Sequence, residues 1–435
     1  MNHLWRQEIE TYKQNHPKSN ELWQQSRYLF PGGVSHNIRT LGFPHLGAFP
    51  NFVDSSHGPT ITDVDGQTYI DYWMGHYTQI LGHNNPVVHE AITNSLKKGW
   101  MVGTPVEDQI NLANKIVGVS PSMEQVRFCT SGTEAIMYAT RLARTYTGRS
   151  VVAKTNLGWH GANEISVPRH QLTHISREAA SLEFPLDAEV ITDLIRGASK
   201  DLAAVVIEPF IGGGGGFPVD LELLKLLREE TTEHDVLLIF DEVVSGFRFH
   251  YGLLQDLIGV RPDLTTLGKI IGGGLPIGIY GGRGDVMELA NPDSQARNVL
   301  VGGGTFSAHP LSLAAGNATL GELVRRSQDY LKISSLGQKL RDGASQLLLE
   351  LGLHGLVTGQ DSMVFCHLLN GPPEGLTIPQ ALTMLDREKE SMLQLSLINR
   401  GVFGHHGFGA LSMAHTDINT SLDALRSALM VLVDD

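Results

Sequence analysis

Short apolar runs alternate with longer amphipathic stretches between about residue 105 and residue 310. The runs are rich in β-branched residues and predict strands at 126–130, 150–154, 202–209, 236–242 and 277–282. The stretches between them, such as 133–148 and 221–235, have the periodicity of helices. Strands that are apolar throughout are typical of a mostly parallel sheet covered by helices on both faces. The pattern therefore predicts an α/β fold for this part of the chain.

The two ends of the chain have different patterns. Residues 4–28 and 85–99 predict helices, and 59–73 predicts a hairpin that turns at Asp65-Gly66. Beyond about residue 315 the pattern predicts helices at 318–350, 378–399 and 418–433 and a strand at 362–369. We therefore expect an N-terminal segment at 1–65, a large domain at 66–314 and a smaller α+β domain at 315–435.

Composition narrows the classes of function. The chain has 435 residues, of which 41% are hydrophobic and 18% charged, as is ordinary for a folded protein of two structural parts. Its net charge of −13 argues against sequence-independent binding to nucleic acid. The apolar runs are too short to span a membrane, no signal peptide is evident, and two cysteines cannot form a disulfide framework. We expect a cytoplasmic protein with no nucleic-acid or membrane partner.

Glycine is enriched and clustered. The 48 glycines concentrate at 212–216, 272–274 and 302–304, beside strand-like runs, which favours close approach of the backbone to a ligand over a flexible linker. A further turn, Ser131-Gly132-Thr133, lies between a predicted strand and a predicted helix. Ser131 and Glu134 have the spacing of a capping box, so this turn is either an ordinary helix cap or a site for an anion such as phosphate.

Two ionisable side chains follow apolar segments. Asp241 and Glu242 end a predicted strand at the sheet edge where open α/β sheets bind ligands. Asp241 there needs a metal, a cation or a protonated ring nitrogen as its partner, whereas Glu242 fits a solvated loop acid better. Lys269 stands in the apolar stretch "TTLGKIIGGGLPIG", where a lysine has a lowered pKa and can act as a nucleophile. The alternative is a surface lysine in a loop.

Two further segments could contact a ligand. In "NLGWHGAN", Trp159 could stack on a flat ligand and His160 could form a hydrogen bond to it, although such a pair also occurs in ordinary packing. The 19 histidines are scattered, and "GHH" at 404–406 lacks the spacing of a known metal motif. We therefore expect no metal.

One cofactor accounts for the lysine, the carboxylate, the anion site and the aromatic face, and that cofactor is pyridoxal phosphate. The segments SGTEA, WHG, IEP, DEV, LGK and GTFSAHP occur in this order in the chain. With them the chain resembles the class III aminotransferases of the fold-type-I pyridoxal phosphate enzymes. Within this family it is similar to the branch that contains glutamate-1-semialdehyde 2,1-aminomutase and related amino-acid transaminases. The resemblance extends from residues 26–34 to 411–417.

The resemblance implies a fold and a set of cofactor contacts. The fold is a large domain with a mostly parallel seven-stranded sheet flanked by helices, plus a smaller α+β domain built from both termini. Lys269 would bear the cofactor as a Schiff base, and Asp241 would pair with its ring nitrogen. The other implied contacts are Val243 under the ring, Ser131, Gly132 and Thr133 at the phosphate, Trp159 stacked on the ring in place of the usual Tyr or Phe, His160 beside it, and Glu208 nearby.

The resemblance also implies an assembly and a substrate site. Thr305 matches a residue that reaches the phosphate of the neighbouring subunit, which implies a homodimer with shared active sites. The N-terminal segment would contribute Arg39, which matches a position that binds the substrate carboxylate. His76 and Tyr77 would line the substrate pocket.

Four departures separate this chain from the aminomutases. Those enzymes carry a Trp, an Asn and a Glu where this chain has His76, Gly213 and Gly407. The segment between Gly161 and Pro185 is also too short for their glycine- and serine-rich lid, which retains an intermediate during the internal amino shift. The Gly75-His76 pair occurs in relatives that act on D- or aryl-substituted amino acids.

These departures favour an aminotransferase that moves an amino group between an amino acid or amine and an oxo acid by a two-stage ping-pong mechanism. The alternative is the aminomutase, or another pyridoxal phosphate-dependent isomerase or epimerase. A non-catalytic binding protein on the same fold would be expected to lack Lys269 or Asp241, and this chain has both. The sequence does not identify the amino donor or its acceptor.

Overall fold

The alternation of strands and helices predicted for the middle of the chain is present in the computed structural model, which describes residues 3–166, 181–293 and 301–433. Most of the segment compared with the aminomutase lid, residues 167–180, lies outside the described residues. The α-helices, in chain order, are α1 (His3–Asn15), α2 (Pro17–Leu29), α3 (Met74–Tyr77), α4 (Pro86–Lys98), α5 (Glu107–Val117), α6 (Gly132–Thr147), α7 (Ala188–Ala198), α8 (Leu221–Glu233), α9 (Leu254–Ile258), α10 (Gly284–Met287), α11 (Pro310–Arg325), α12 (Asp329–Glu350), α13 (Ile378–Leu382), α14 (Arg387–Ile398) and α15 (Asn419–Leu429).

The strands are short, as is usual in globular domains. In chain order they are β1 (Val53–His57), β2 (Thr60–Asp63), β3 (Thr68–Asp71), β4 (Gln125–Cys129), β5 (Val151–Thr155), β6 (Leu182–Phe184), β7 (Leu202–Ile207), β8 (Phe210–Ile211), β9 (Phe217–Pro218), β10 (Leu237–Asp241), β11 (Leu264–Gly268), β12 (Gly278–Gly282), β13 (Gly355–Thr358), β14 (Met363–Leu368), β15 (Val402–Phe403) and β16 (Gly409–Ala410).

The chain forms two compact units, whose boundaries differ from the predicted ones at 65 and 314. One unit joins the chain up to Asn85 with the chain from Gln328 onward, and the other runs from Pro86 to Ser327. The first boundary lies later because β3 pairs in parallel with β15, which ties the predicted hairpin to the C-terminal part of the chain. The second lies later because α11 packs on α4 and α5 of the large unit. Neither long-range contact has a local signature in the sequence.

The large unit contains a seven-stranded sheet with the order β4-β12-β11-β10-β7-β5-β6. Strand β12 is antiparallel to both of its neighbours, and the other adjacent pairs are parallel, so the predicted mostly parallel sheet is confirmed. The pattern did not predict β6 and β11. Strand β6 is only a three-residue edge strand, and β11, with the sequence LTTLG, contains two threonines although all five of its residues are buried.

Helix α6 covers this sheet with its apolar face. The five side chains predicted to share that face are all buried with no exposed surface, and they pack in one cluster with side chains of the sheet: Ala135, Ile136, Ala139, Leu142 and Ala143. Burial of a leucine-sized side chain is typically worth about 1.5–3 kcal/mol relative to exposure. Packing of this face therefore holds the N-terminus of α6 at the edge of the sheet.

The unit that contains both chain ends is α+β, as predicted. It holds a four-stranded sheet with the order β1-β2-β3-β15 and a three-stranded sheet with the order β13-β14-β16. Helix α12 packs on β13 and β14, and α14 packs on α15 and on β15. Among the described residues of the whole chain, no helix combines the length and the apolar character that crossing a bilayer requires.

Helix α12 offers a matched test of this packing. Leu340 is fully buried, and Leu349, nine residues further along the same helix, is 83% exposed. We expect Leu340→Ala to lower the free energy of unfolding by about 2–5 kcal/mol, because it removes buried methyl groups and leaves a cavity. Leu349→Ala makes the same chemical change at the surface and should cost less than about 0.5 kcal/mol. Urea unfolding followed by circular dichroism measures both, and equal losses would contradict the packing described here.

Candidate active site

Several predicted site residues meet at one edge of the large sheet. Strands β7, β10 and β11 are parallel neighbours, so their carboxyl ends lie side by side. Glu208 follows β7, Asp241 ends β10, and Lys269 follows β11. The carboxyl ends of parallel strands are where open α/β sheets bind ligands. The sheet topology therefore brings together side chains that are far apart in the sequence.

Asp241 is buried and held by three hydrogen bonds. Its Oδ1 accepts from the backbone N–H of Val243 at 3.1 Å and from Thr266 Oγ1 at 3.2 Å. His160 Nδ1 lies 2.8 Å from Asp241 Oδ2 and donates to the carboxylate. The other ring nitrogen of His160, Nε2, is buried and has no hydrogen-bond partner among the described residues. The carboxylate is thus fixed in one orientation, and an acceptor beside it is left for a ligand.

Lys269 begins a short 3-10 helix directly after β11 and has a left-handed backbone with φ of +52°. Such a conformation in a residue other than glycine costs about 1–3 kcal/mol and is typical of functional sites. Burial lowers the pKa of the Lys269 amine from 10.5, and the Arg248 guanidinium lowers it further, whereas the carboxylates of Asp241 and Glu208 raise it. A buried amine of this kind is accessible in its neutral, nucleophilic form.

Glu208 is also buried, and both of its oxygens are occupied. Oε1 accepts from the backbone N–H of Trp159 and Oε2 from that of Gly212, each at 2.9 Å. Burial and the neighbouring Asp241 raise the pKa of Glu208 above its ordinary value, and His160 opposes this shift. Glu208 therefore ties the loop that carries Trp159 and His160 to the glycine-rich segment after β8.

The turn before α6 is both a helix cap and a candidate anion site. Ser131 Oγ accepts from the backbone N–H of Glu134 at 3.2 Å, as predicted. The reciprocal bond of a capping box is not formed, because the Glu134 carboxylate instead accepts from the backbone N–H and the hydroxyl of Thr130. The N–H groups of Gly132 and Thr133 have no acceptor within the helix, since they lie in its first turn. Together with two hydroxyl groups, they can bind an anion at the positive end of the helix dipole.

Gly132 allows a close approach between this turn and the loop after β10. A Cβ atom at this position would lie 2.9 Å from Val243 Cγ2, so a larger residue here would require the Val243 side chain or the turn to shift. The side chain of Val243 is therefore placed against the turn that carries Ser131 and Thr133. This contact joins the predicted phosphate contacts to the residue predicted to lie under the cofactor ring.

The interpretation of Glu242 as a solvated loop acid is wrong. Glu242 is fully buried, and its carboxylate accepts hydrogen bonds from four donors: Ser245 Oγ, Leu254 N, Gln255 N and Gln255 Nε2. Burial raises the pKa of Glu242 to about 7, and these hydrogen bonds act in the opposite direction. Its donors lie 3 to 13 residues away in the chain, so the sequence around Glu242 did not reveal them.

Two predicted site residues have exposed side chains. The Trp159 side chain is 57% exposed, although its backbone N–H is bound by Glu208. Thr305 is exposed together with its neighbours Gly304 and Phe306. The stacking of Trp159 on a ring and the contact of Thr305 with a neighbouring subunit stay predictions.

The three predicted substrate residues lie in the other unit. Arg39 and His76 line a cavity of about 530 Å³, together with Trp73 and Phe403. The Trp73 and His76 rings are 4.4 Å apart. Tyr77 is buried and is not among the residues that line this cavity.

Helix α3, which carries His76 and Tyr77, is left-handed throughout. Its φ angles are +47° at Met74, +60° at Gly75, +58° at His76 and +69° at Tyr77. Left-handed residues other than glycine normally occur singly, so a run of them marks a segment whose conformation is imposed by its surroundings.

Sequence reasoning missed two residues near Lys269 and Asp241. Thr266 binds Asp241 because it stands beside it in the register of β10 and β11, which could have been inferred had β11 been predicted. Arg248, the largest fully buried side chain described, influences the Lys269 amine, and nothing in its local sequence indicates this position.

The family model of class-III aminotransferases matches residues 45–352 of the chain. The chain belongs to the class-III aminotransferase family. It is 40% identical over 359 residues to a glutamate-1-semialdehyde 2,1-aminomutase from Methanosarcina acetivorans. The matched residues cover 80% of this chain and 82% of that protein.

Solved structures give the same family and the same fold. An omega-transaminase from Sphaerobacter thermophilus superposes with a TM-score of 0.86 at 31% identity, covering 95% of this chain and 97% of that one. A glutamate-1-semialdehyde aminomutase from Pseudomonas aeruginosa PAO1 in complex with PMP superposes with a TM-score of 0.87 at 26% identity, covering 99% and 98% of the two chains. The protein is therefore an enzyme of the fold-type-I class that depends on pyridoxal 5'-phosphate, as the resemblance implied.

The residues of the large unit fit this cofactor. It needs an amine for its aldehyde, a carboxylate for its ring nitrogen and an anion site for its phosphate. The Lys269 amine, the oriented carboxylate of Asp241 and the helix turn at Ser131 provide groups of these three kinds. The contact of Gly132 with Val243 brings the turn and the carboxylate loop together, as binding one ligand would require.

Glu242→Gln tests the buried carboxylate beside Asp241. One carboxylate oxygen becomes an NH₂ group that faces the N–H donors of α9, so buried donors lose their acceptor. We expect the free energy of unfolding to fall by about 1–3 kcal/mol, the cost of leaving such groups unsatisfied. Glu229→Gln, at an exposed position of α8, is the matched control and should be near neutral. Urea unfolding measures both variants, and a neutral Glu242→Gln would show that the four hydrogen bonds contribute little.

Proposed function

We propose that the protein is an aminotransferase that moves an amino group from an amino acid or amine to an oxo acid in two half-reactions. The backbone at Gly407 is the observation that favours transamination over an internal amino shift. Its φ is +81°, and a Cβ atom there would lie 2.8 Å from Cys366 Cβ and 3.1 Å from Cys366 O. The glutamate that the resemblance places here in the aminomutases could not be accommodated without movement of β14 or of the loop.

Lys269 is the proposed catalytic residue. When bound, pyridoxal phosphate supplies an aldehyde that condenses with amines and a ring that accepts the electron pair of a broken bond. We assign the Lys269 amine to hold the aldehyde; once an amino donor had displaced it, the free amine would carry a proton from the substrate carbon to the carbon that bore the aldehyde. Both tasks need the neutral amine, and burial lowers the Lys269 pKa in that direction.

Asp241 is the proposed partner of the cofactor's ring nitrogen. Its carboxylate would keep that nitrogen protonated, which makes the ring a better acceptor of electrons. The hydrogen bonds from Val243, Thr266 and His160 support this role, because they fix the carboxylate before the cofactor binds. Glu208 would act less directly, by holding the loop that presents Trp159 for stacking on the ring.

Three groups of the turn before α6 are proposed to bind the phosphate. The N–H groups of Gly132 and Thr133 and the hydroxyl of Ser131 point from a helix N-terminus, where the dipole favours an anion. Val243 would then lie under the ring, since it packs against this turn. His160 would act through Asp241.

The substrate class follows from the cavity that contains Arg39. A guanidinium in a cavity lined by Trp73, His76 and Phe403 suits a substrate with a carboxylate and an apolar or aryl part. We propose that Arg39 binds the carboxylate and that His76 shapes the apolar side, whereas Tyr77 acts only through the α3 segment that it shares with His76. The left-handed backbone of α3 supports a functional role for this segment, since strain of this kind is retained at binding sites.

We also propose a homodimer with shared active sites. The segment around Thr305 is exposed in the single chain, and it includes Phe306, whose side chain is 58% exposed. Large apolar side chains on a surface often mark an interface. In the proposed assembly, Thr305 of each chain contacts the phosphate bound by the other. The two described cysteines are buried and unpaired, which supports the expectation of a reducing, cytoplasmic location.

A second candidate is the aminomutase. Its support is the 40% identity to a relative of that name, which is higher than the 31% identity to the omega-transaminase. The packing at Gly213 does not separate the two functions, because a Cβ atom there would lie an ordinary 3.5 Å from Trp159 Cβ. The two candidates differ in whether one amino substrate alone is enough for turnover.

A half-reaction separates the two candidates. The purified enzyme is given a single amino donor and no oxo acceptor, from a panel of α-L, α-D, β and ω amino compounds with and without a carboxylate. We expect the bound cofactor to convert once to its amino form, with about one oxo product per site, and then to stop. Absorbance spectroscopy follows the cofactor, and chromatography quantifies the oxo product.

The controls for this experiment lie in the same chain. Lys269→Ala should bind the cofactor without the visible band of the lysine-bound form and should not transfer the amino group, whereas the exposed Lys200→Ala should behave as wild type. Repeated turnover of one donor to an isomer would replace the proposal with the aminomutase. A wild-type protein that takes up no pyridoxal phosphate would overturn both.

Mixing two inactive variants tests the shared site. Lys269→Ala lacks the amine, and Thr305→Glu places a negative charge where the proposal puts the phosphate of the neighbouring subunit. Refolding the two together should restore the lysine-bound cofactor band in about a quarter of all sites, because each mixed dimer has one intact site. Each variant refolded alone is the control. Sites that lie within one chain would give no restoration in the mixture.

A further inference from the structure

Three side chains that commonly bind metal ions converge in the unit that contains both chain ends. His367 lies on β14, Glu390 on α14, and His406 in the loop between β15 and β16. One ligand atom from each lies within 4.8 Å of the others. His367 is buried, and the other two are partly buried. Neighbouring members of this group are more than fifteen residues apart in the sequence, so they match no short metal motif. For this reason no metal was expected from the sequence.

The distance between His367 and Glu390 suits a metal better than a direct bond. His367 Nδ1 is 3.3 Å from Glu390 Oε1. A charge-assisted hydrogen bond between such groups is usually about 2.7–2.9 Å long. Two ligands of a tetrahedral zinc ion, each bound at about 2.0–2.1 Å, are about 3.3–3.4 Å apart. The pair already has the spacing of two ligands on one ion.

The other ring nitrogen of His367 has a partner that can orient it. His367 Nε2 is 3.2 Å from Thr358 Oγ1 on the adjacent strand β13. If Nε2 donates to this hydroxyl, the lone pair of Nδ1 faces Glu390. Histidine ligands of metals are typically fixed in this way by a second hydrogen bond.

His406 is held in place and available as a neutral ligand. Its backbone oxygen accepts from Cys366 N at 2.9 Å, and its φ is +55°. Burial lowers the pKa of His406 well below its ordinary value, and His405, His367 and Arg387 lower it further, whereas Glu390 raises it. Arg387 also opposes a cation at this position, and the Glu390 carboxylate favours one.

We propose that His367, Glu390 and His406 bind one divalent transition-metal ion of the zinc class, with water at the remaining position. Two imidazoles and one carboxylate form a set that zinc accepts in proteins. A second group with suitable spacing, Glu230, Glu233 and His234, is a weaker candidate. Its buried member Glu230 already accepts two hydrogen bonds from Arg196, at 3.0 and 2.7 Å.

The test uses the tag-free holoenzyme, dialysed against a chelator and then titrated with Zn²⁺ by calorimetry. We expect one ion per chain, with at least about tenfold weaker binding in Glu390→Gln and in His406→Asn. Asparagine is chosen at 406 because it tolerates a left-handed backbone. Glu388→Gln, exposed on the same helix, is the matched control and should bind as wild type. The far-ultraviolet circular dichroism and the cofactor band of each variant report whether it has folded.

Two outcomes would overturn the proposal. One is the absence of stoichiometric Zn²⁺ binding by the wild-type holoenzyme. The other is Zn²⁺ binding that persists in both Glu390→Gln and His406→Asn. If a Glu233→Gln/His234→Asn double variant then loses the ion, the ion belongs to the group of Glu230, Glu233 and His234.

Discussion

The large unit is organised around the cost of burying the Lys269 amine. An ammonium group taken out of water is strongly disfavoured, so the amine tends to lose its proton. Two carboxylates nearby, Asp241 and Glu208, act in the opposite direction. The result is an amine whose two protonation states are closer in free energy than those of a surface lysine. A group with that balance can both attack a carbonyl and move a proton.

Burial also disfavours the charged form of the nearby carboxylates, and here the structure compensates with hydrogen bonds. Asp241, Glu208 and Glu242 follow or end the parallel strands β7 and β10, and all three are buried. Asp241 and Glu208 accept backbone N–H groups from loops that follow strands, and Glu242 accepts them from the start of helix α9. Burying a carboxylate without such donors would be prohibitive. The acids therefore order the loops at the sheet edge, and Asp241 in addition keeps an oxygen paired with His160 and directed at the site.

Local patterns predicted most of this architecture, and they failed where distant segments pair. The apolar runs gave the central strands, and the periodicity of residues 133–148 gave the buried face of α6, because both signals depend on neighbours in the chain. Strand β11 was missed because two threonines interrupt its apolar run, although all five of its residues are buried. Glu242 was misread because its donors come from Ser245 and α9, which fold back over it. The sequence indicated that Lys269 and Asp241 could contact a ligand. It did not indicate that Thr266 orients Asp241, because that contact depends on the register of β10 and β11.

The proposed substrate contacts and the proposed cofactor contacts have different structural origins. The groups proposed to act on the cofactor lie on a sheet edge whose geometry is fixed by topology, so many members of a family can share them. Arg39 and His76 line a cavity of the other unit, together with residues of helix α2, of strands β1, β2, β3 and β15 and of the left-handed segment α3. Gly407 is not among the residues that line this cavity, and its positive φ and its contact with Cys366 leave no room for a larger side chain without movement. In the proposed enzyme, the groups that act on the cofactor and those that bind the substrate lie in different units of the chain, so the residues of one set can change while those of the other are kept.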